Sequence, residues 1–145
     1  IGGAGLLQEK VEAAVRTDRS GRLRFIGRPD DAAARDLVAG ADLFLAPAPF
    51  GESFGIVLAE AMAAGAVPIA AANAGYASVL TGPGADLLVA PGDPAALARK
   101  IETLARDAAL RQHLRAWGLA HARRFDVAQV GPEYLALYRS VAAAG

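Results

Sequence analysis

An α/β fold is predicted here, a Rossmann-like succession of parallel strands with helices on both faces and further helices at the C-terminus. Three observations carry that reading. Short apolar runs alternate with stretches of helical periodicity along the chain, as strands and their crossover helices do. In the run DLFLA the Leu and Phe residues are continuous rather than alternating, which suits a strand covered on both faces. Alanine supplies 36 of the 145 residues, which favours helices and lets them lie close on a sheet.

Ile1 reads as the tail of a strand, followed by a glycine turn through Gly2, Gly3 and Gly5. The strand lacks a beginning and the chain does not open on Met, so a piece of a longer protein is expected. LLQEKVEAAV follows as a helix with Leu7, Val11 and Val15 on one stripe. LRFI at 23–26 is a short strand stopped by Gly27 and Pro29, and residues 30–39 form an Ala-rich helix that Asp30 or Asp31 can cap. DLFLA at 42–46 is the next strand, broken by Pro47 and Pro49. The loop PFGESFG then feeds the apolar helix IVLAEAMAA, which Gly65 can close.

VPIA at 67–70 is a strand in which Pro68 must sit where a missing N–H does little harm. A turn around Asn73 and Gly75 leads to a short helical piece over 76–80, and LLVA at 87–90 supplies a further strand. PGDP starts a helix with Asp93 as N-cap and Pro94 at its first position, and Leu97, Ile101, Leu104 and Ala108 recur on one face. The last third is helical, with one stripe of Leu110, Leu114 and Trp117 and another of Val127, Val130, Tyr134, Leu137 and Val141. Trp117 and Tyr134 are expected to pack rather than to touch a ligand.

Composition narrows the chemistry. Lys+Arg 15 against Asp+Glu 15 gives a net charge of +0, so non-specific nucleic-acid binding has little electrostatic support. The absence of cysteine excludes a disulfide scaffold, thiol catalysis and thiolate metal sites. His113 and His121 lie eight residues apart with no third ligand at a compact spacing. No apolar run reaches the roughly 18 to 20 residues of a membrane-spanning helix.

The densest chemistry lies in PAPFGESFGIVLAEAMAAG, residues 47–65. A strand ends, the chain turns through Gly51, and Gly55 permits close approach just before the helix that begins near Ile56. Unpaired N–H groups and the dipole at that helix end favour an anion, a diphosphate among them. Glu52 sits in the loop and Glu60 about one helical turn beyond Ile56, so both can face the strand-end crevice and serve different parts of an extended ligand. A carboxylate beside sugar hydroxyls accepts charge-assisted hydrogen bonds. The plain alternatives are stabilisation of the helix start for Glu52 and a solvent-facing position for Glu60.

GESFGIVLAEAMAAG, with Glu52 and Glu60 separated by seven residues, resembles the donor-binding motif of the retaining GT-B glycosyltransferases of family 4. IGGAG, RFIGRPDD, ADLFLAP, LLVAPGDPAALARKIETL and FDVAQVGPEYLALY are similar to that family's other segments, in the same order. The resemblance implies retaining transfer of a hexosyl unit from a nucleoside-diphosphate sugar, with no required metal. It carries the sugar-side role to Glu52 and the ribose role to Glu60. It sets Gly51, Ser53, Phe54, Gly55 and Ile56 around the sugar and diphosphate, and Gly3, Gly5, Gly27, Arg28, Pro29 and Val57 around the nucleotide. Residues 1–108 become a partial Rossmann-like nucleotide-sugar-binding domain, and residues 109–145 a helical segment that closes the GT-B fold.

The same resemblance expects a glycan, lipid or small-molecule acceptor, held mainly by an N-terminal domain outside this sequence, and no nucleic acid. It also expects a cytoplasmic location compatible with the inner face of a membrane. NAGYASVL departs from the family pattern, because Ser78 stands where relatives often carry a glutamate. Two other readings are an epimerase or glycan phosphorylase of similar architecture and a noncatalytic nucleotide-binding domain. Donor conversion without acceptor, or phosphate-dependent glycan cleavage, would mark the first.

Overall fold

The computed structural model describes residues 7–143. They divide into two compact units, one through Leu37 and the other from Val38 onward.

In the first unit, α1 (Gln8–Thr17) and most of α2 (Asp31–Ala39) contain no fully buried residue. The Asp30 carboxylate accepts from the Ala33 amide at 2.8 Å and so starts α2, as its place in the sequence suggests. Between the helices, the carboxylate of Asp18 accepts from the Ser20 hydroxyl and from the amides of Leu23 and Ser20, which holds its pKa at about 2. Residues 23–26, expected as a strand, do not form one. An apolar run becomes a strand only with a ladder partner; none pairs with it among the described residues, and the Leu23 amide is committed to Asp18. The glycine turn at Gly2, Gly3 and Gly5 lies outside the described residues.

The second unit is built on a parallel sheet of β1 (Leu43–Ala46), β2 (Val67–Ala71) and β3 (Leu88–Val89), in the spatial order β1-β2-β3. Leu43 faces Val67 in the first ladder, and Ala70 faces Leu88 in the second. Pro68 lies in the middle strand, yet its missing N–H is harmless. The Val67 amide reaches back to the Asp42 carbonyl on the β1 side. Successive N–H groups alternate sides, so position 68 turns toward β3, whose pairing begins only at Ala70.

α3 (Ile56–Ala63) connects β1 to β2, and α5 (Pro94–Arg106) follows β3. Leu58 and Met62 from α3, Val67 and Ile69 from β2, and Leu104 from α5 share one core with almost no exposed surface. Side chains of this size each contribute roughly 1.5 to 3 kcal/mol when fully buried. Gly65, at φ 86°, ends α3 in a Schellman motif, with the Ala66 amide bonded to the Ala61 carbonyl.

α4 (Ala74–Val79) starts two residues earlier than its sequence suggests, because the Asn73 side chain caps it by accepting from the Tyr76 amide at 2.9 Å. A 3-10 turn over Gly82–Leu87 precedes β3. α6 (Ala108–Ala122) packs on α3 at Gly118, where an added Cβ would lie 3.2 Å from the Met62 Cγ. Leu114 and Ala122 of α6 join the same core. Trp117 packs against the chain at Gly84, as its stripe predicts. α7 (Val127–Ala143) buries nothing fully, and Tyr134 is exposed rather than packed.

Candidate functional site

The carboxyl ends of all three strands meet in a hollow of about 150 Å³ lined by Pro47, Ala71, Val89 and Leu97 among others. The β1–α3 connection, which carries most of the residues singled out by sequence, leaves that edge of the sheet. Gly51 and Gly55 both take positive φ, 85° and 95°, a region open to glycine and strained for other residues. Gly55 is also the N-cap of α3, and it offers no side chain to the first amides of the helix. No acidic residue stands in the first turn either. The helix end thus keeps its positive character for a ligand rather than neutralising it internally.

Glu52 is half-buried in this loop, while Ser53 and Phe54 are exposed. Ile56 and Glu60 lie one turn apart on the exposed face of α3 and line a groove of about 490 Å³. Leu119, Arg123, Phe125 and Asp126, from the end of α6 and the turn after it, form the other bank. Glu60 therefore opens onto a concave surface. Val57 packs, half-buried, against the core and is not among the groove residues. Gly27, Arg28 and Pro29 belong to the first unit, where Gly27 has φ 64° and Pro29 lines an open hollow with Ile26, Asp30 and Leu37.

Two supports of the loop were not evident from sequence. The first is the turn after β2. The Asn73 side-chain amide donates to the Ala48 carbonyl at 2.9 Å, and a Cβ on Gly75 would collide with the Glu52 carbonyl oxygen. The Tyr76 ring lies directly against Gly55, 2.6 Å from where a Cβ would stand. Burial raises the Tyr76 phenol above its ordinary pKa, and the negative charge of Glu52 raises it further. The asparagine and glycine of NAGY signal a turn, but nothing in the sequence says which loop that turn would grip.

The second support is aromatic. Phe54 meets Phe125 edge-on with centroids 5.5 Å apart, Phe125 meets His121 in the same way, and His121 stacks on Trp117 at 4.7 Å. The His121 Nε2 lies 2.8 Å from the Val79 carbonyl, which fixes the imidazole in the row.

A parallel α/β unit with a glycine-bounded loop and an uncapped helix start beyond a strand end is of the class that receives ligands at its strand tips. Comparison with known proteins makes the class specific. Residues 1–107 match the family described as Glycosyl transferases group 1, and the chain belongs to that family. It is 40% identical over 123 residues to the phosphatidyl-myo-inositol mannosyltransferase of Mycobacterium leprae, covering 85% of this chain and 33% of that protein.

It is also 36% identical over 122 residues to the GDP-mannose:cellobiosyl-diphosphopolyprenol alpha-mannosyltransferase of Komagataeibacter xylinus, covering 82% of this chain and 30% of that one. Among solved structures, Anabaena HepE in complex with UDP and glucose superimposes with a TM-score of 0.80 at 27% identity, over 96% of this chain and 39% of that one. Sucrose-phosphate synthase from Thermosynechococcus elongatus gives 0.81 at 30% identity, over 97% and 36%. The chain spans about a third of the length of the curated relatives it matches.

Proposed function

We propose that this chain is the donor-binding part of a retaining GT-B glycosyltransferase of family 4, which moves a hexosyl unit from a nucleoside-diphosphate sugar to an acceptor hydroxyl. The observation that carries the reading is the β1–α3 connection, where a half-buried Glu52 precedes a helix start without a side-chain cap and Glu60 follows one turn later in a groove. Residues 1–108 form the nucleotide-sugar-binding part, and residues 109–145 close the fold. The family match, which ends at residue 107, supports that boundary.

Transfer breaks the bond between the anomeric carbon and the diphosphate oxygen and forms one to the acceptor oxygen on the same face of the sugar. Negative charge grows on the departing diphosphate. In this reading the amides of Phe54, Gly55 and Ile56 at the α3 start stabilise that charge more than they stabilise the intact donor. Charge neutralisation by the helix end leaves no step that calls for a metal. Ser53 and Phe54 border the sugar, while Gly51 and Gly55 let the backbone approach it. Glu52 orients the sugar through its hydroxyls, and Glu60 takes the ribose hydroxyls. The nucleobase-side role of Gly27, Arg28 and Pro29 is carried by the family resemblance.

The relatives' names make mannose the first sugar to assay and a lipid-borne alcohol the first acceptor. No helix among the described residues is long and apolar enough to cross a membrane. Peripheral association with a membrane is part of this reading.

The test uses an enzyme of the relatives' full length that carries this domain. Glu60→Gln is expected to weaken ribonucleotide donors more than 2′-deoxy ones, by on the order of 1.5 to 3 kcal/mol, the worth of a hydrogen bond to a charged group. Glu52→Gln is expected to lower kcat sharply while leaving bare nucleoside-diphosphate affinity near normal. Equal losses for the two donor types would reject the ribose contact, and near-normal transfer by Glu52→Gln would reject the sugar-side role.

A further inference from the structure

We infer that Phe125 is a positioning residue for the β1–α3 loop: its ring meets that of Phe54 edge-on and so fixes the backbone from which the amides at the α3 start face a diphosphate. The inference deepens the function proposed above and rests on the role given there to those amides.

The loop needs an outside hold. Residues 52–54 lie between Gly51 and Gly55, both at positive φ, and glycine restrains a backbone less than any other residue. Glu52 and Ser53 are polar, so Phe54 is the one apolar side chain of that segment by which packing can hold it. Its ring centroid lies 5.5 Å from that of Phe125 with the planes at 78°, the edge-to-face arrangement that aromatic pairs favour.

Phe125 is held in turn. It ends a 3-10 turn, Arg123–Phe125, that continues directly from α6, and its ring packs half-buried against the core. The His121 imidazole meets it at 5.5 Å and 77° and stacks on Trp117 at 4.7 Å. A carbonyl oxygen only accepts, so the His121 Nε2 carries a proton and donates it to the Val79 carbonyl at 2.8 Å. Val79 is the last residue of α4 and has no exposed surface. The hold on Phe54 therefore runs back through two rings to a fixed point in the core. Phe125 also lines the groove onto which Glu60 opens. One ring thus touches the loop proposed to take the diphosphate and borders the groove proposed to take the ribose.

A misplacement of an ångström can lower a rate by about two orders of magnitude. Two measurements decide whether Phe125 prevents one. The first is kinetic and uses the enzyme of full length. Phe125→Leu keeps an apolar side chain and removes the ring; kcat should fall by about 10-fold, the upper end of what one aromatic pair is worth, with donor KM and nucleoside-diphosphate affinity near wild type. Phe54→Leu removes the same contact from the loop side, at a ring that is 40% exposed and outside the core, so folding is not at stake. Its kcat should fall at least as far, and adding Phe125→Leu to it should cause no further loss. An unchanged kcat in either single variant, losses that add fully in the double variant, or a nucleotide affinity that falls in parallel with kcat would each overturn the role.

The second measurement is proton NMR of the 145-residue chain, which reads the contact without any reaction. Phe125→Leu should shift the ring-proton resonances of Phe54 and His121, because both rings stand within the ring current of Phe125. Unmoved Phe54 resonances overturn the contact, and the inference with it, whatever reaction the enzyme performs. Moved resonances together with no affinity of the enzyme of full length for a nucleoside diphosphate reject the function proposed above, and the positioning role with it, while leaving the contact standing.

Discussion

At the scale of single residues, two glycines of one loop do different work. Gly51 and Gly55 share a positive φ, but nothing lies within 4 Å of a Cβ on Gly51, whereas a Cβ on Gly55 meets Tyr76. Gly51→Ala should therefore lose only the backbone strain, about 1 to 3 kcal/mol. Gly55→Ala should lose that and more, because the Tyr76 ring must shift as well, and nucleotide affinity should fall with it. Denaturant midpoints of the two variants, compared side by side, check this; equal destabilisation would mean that the ring is not a wall. The glycines, Glu52 and Glu60 were legible as a motif because their chemistry is local. Tyr76 was not, since an aromatic residue in a short helix reads as ordinary core until its neighbour across 24 positions is known.

Among the elements, the start of α5 was read from Asp93, whereas the break at Asp107 was not: Ala108, expected on the stripe of Leu97, Ile101 and Leu104, begins α6 instead. Asp93 and Asp107 each accept from the amide three residues on at 2.8 Å, and Asp107 ends α5 while it begins α6. Asp93→Ala should cost about 1 kcal/mol of stability, and Asp107→Ala at least as much, by chemical denaturation. A neutral result at Asp107 would show that the Arg111 guanidinium, which donates to the Leu104 and Ala105 carbonyls, suffices to close α5. The strands DLFLA, VPIA and LLVA were found because each has partners in the sheet. LRFI has the same apolar pattern without a ladder. Pattern reports the preference of a segment, and pairing decides its state.

For the molecule as a whole, the decisive fact is coverage. The chain matches about a third of each of the two mannosyltransferases, and the function proposed for it is the donor side of the reaction. The 145-residue chain alone should bind a nucleoside diphosphate weakly by calorimetry and show no acceptor-dependent turnover. Turnover by the highly purified chain would show that donor and acceptor both find their sites within it.

The aromatic row gives this molecule a further property. Trp117 is the sole tryptophan of the sequence, and through His121 and Phe125 it connects to Phe54 of the β1–α3 loop. A shift of that loop is expected to reach the indole through two edge-on contacts and one stacked pair, which would make Trp117 an optical reporter without a label or a substitution. Its emission spectrum, followed as a nucleoside diphosphate is added, checks this.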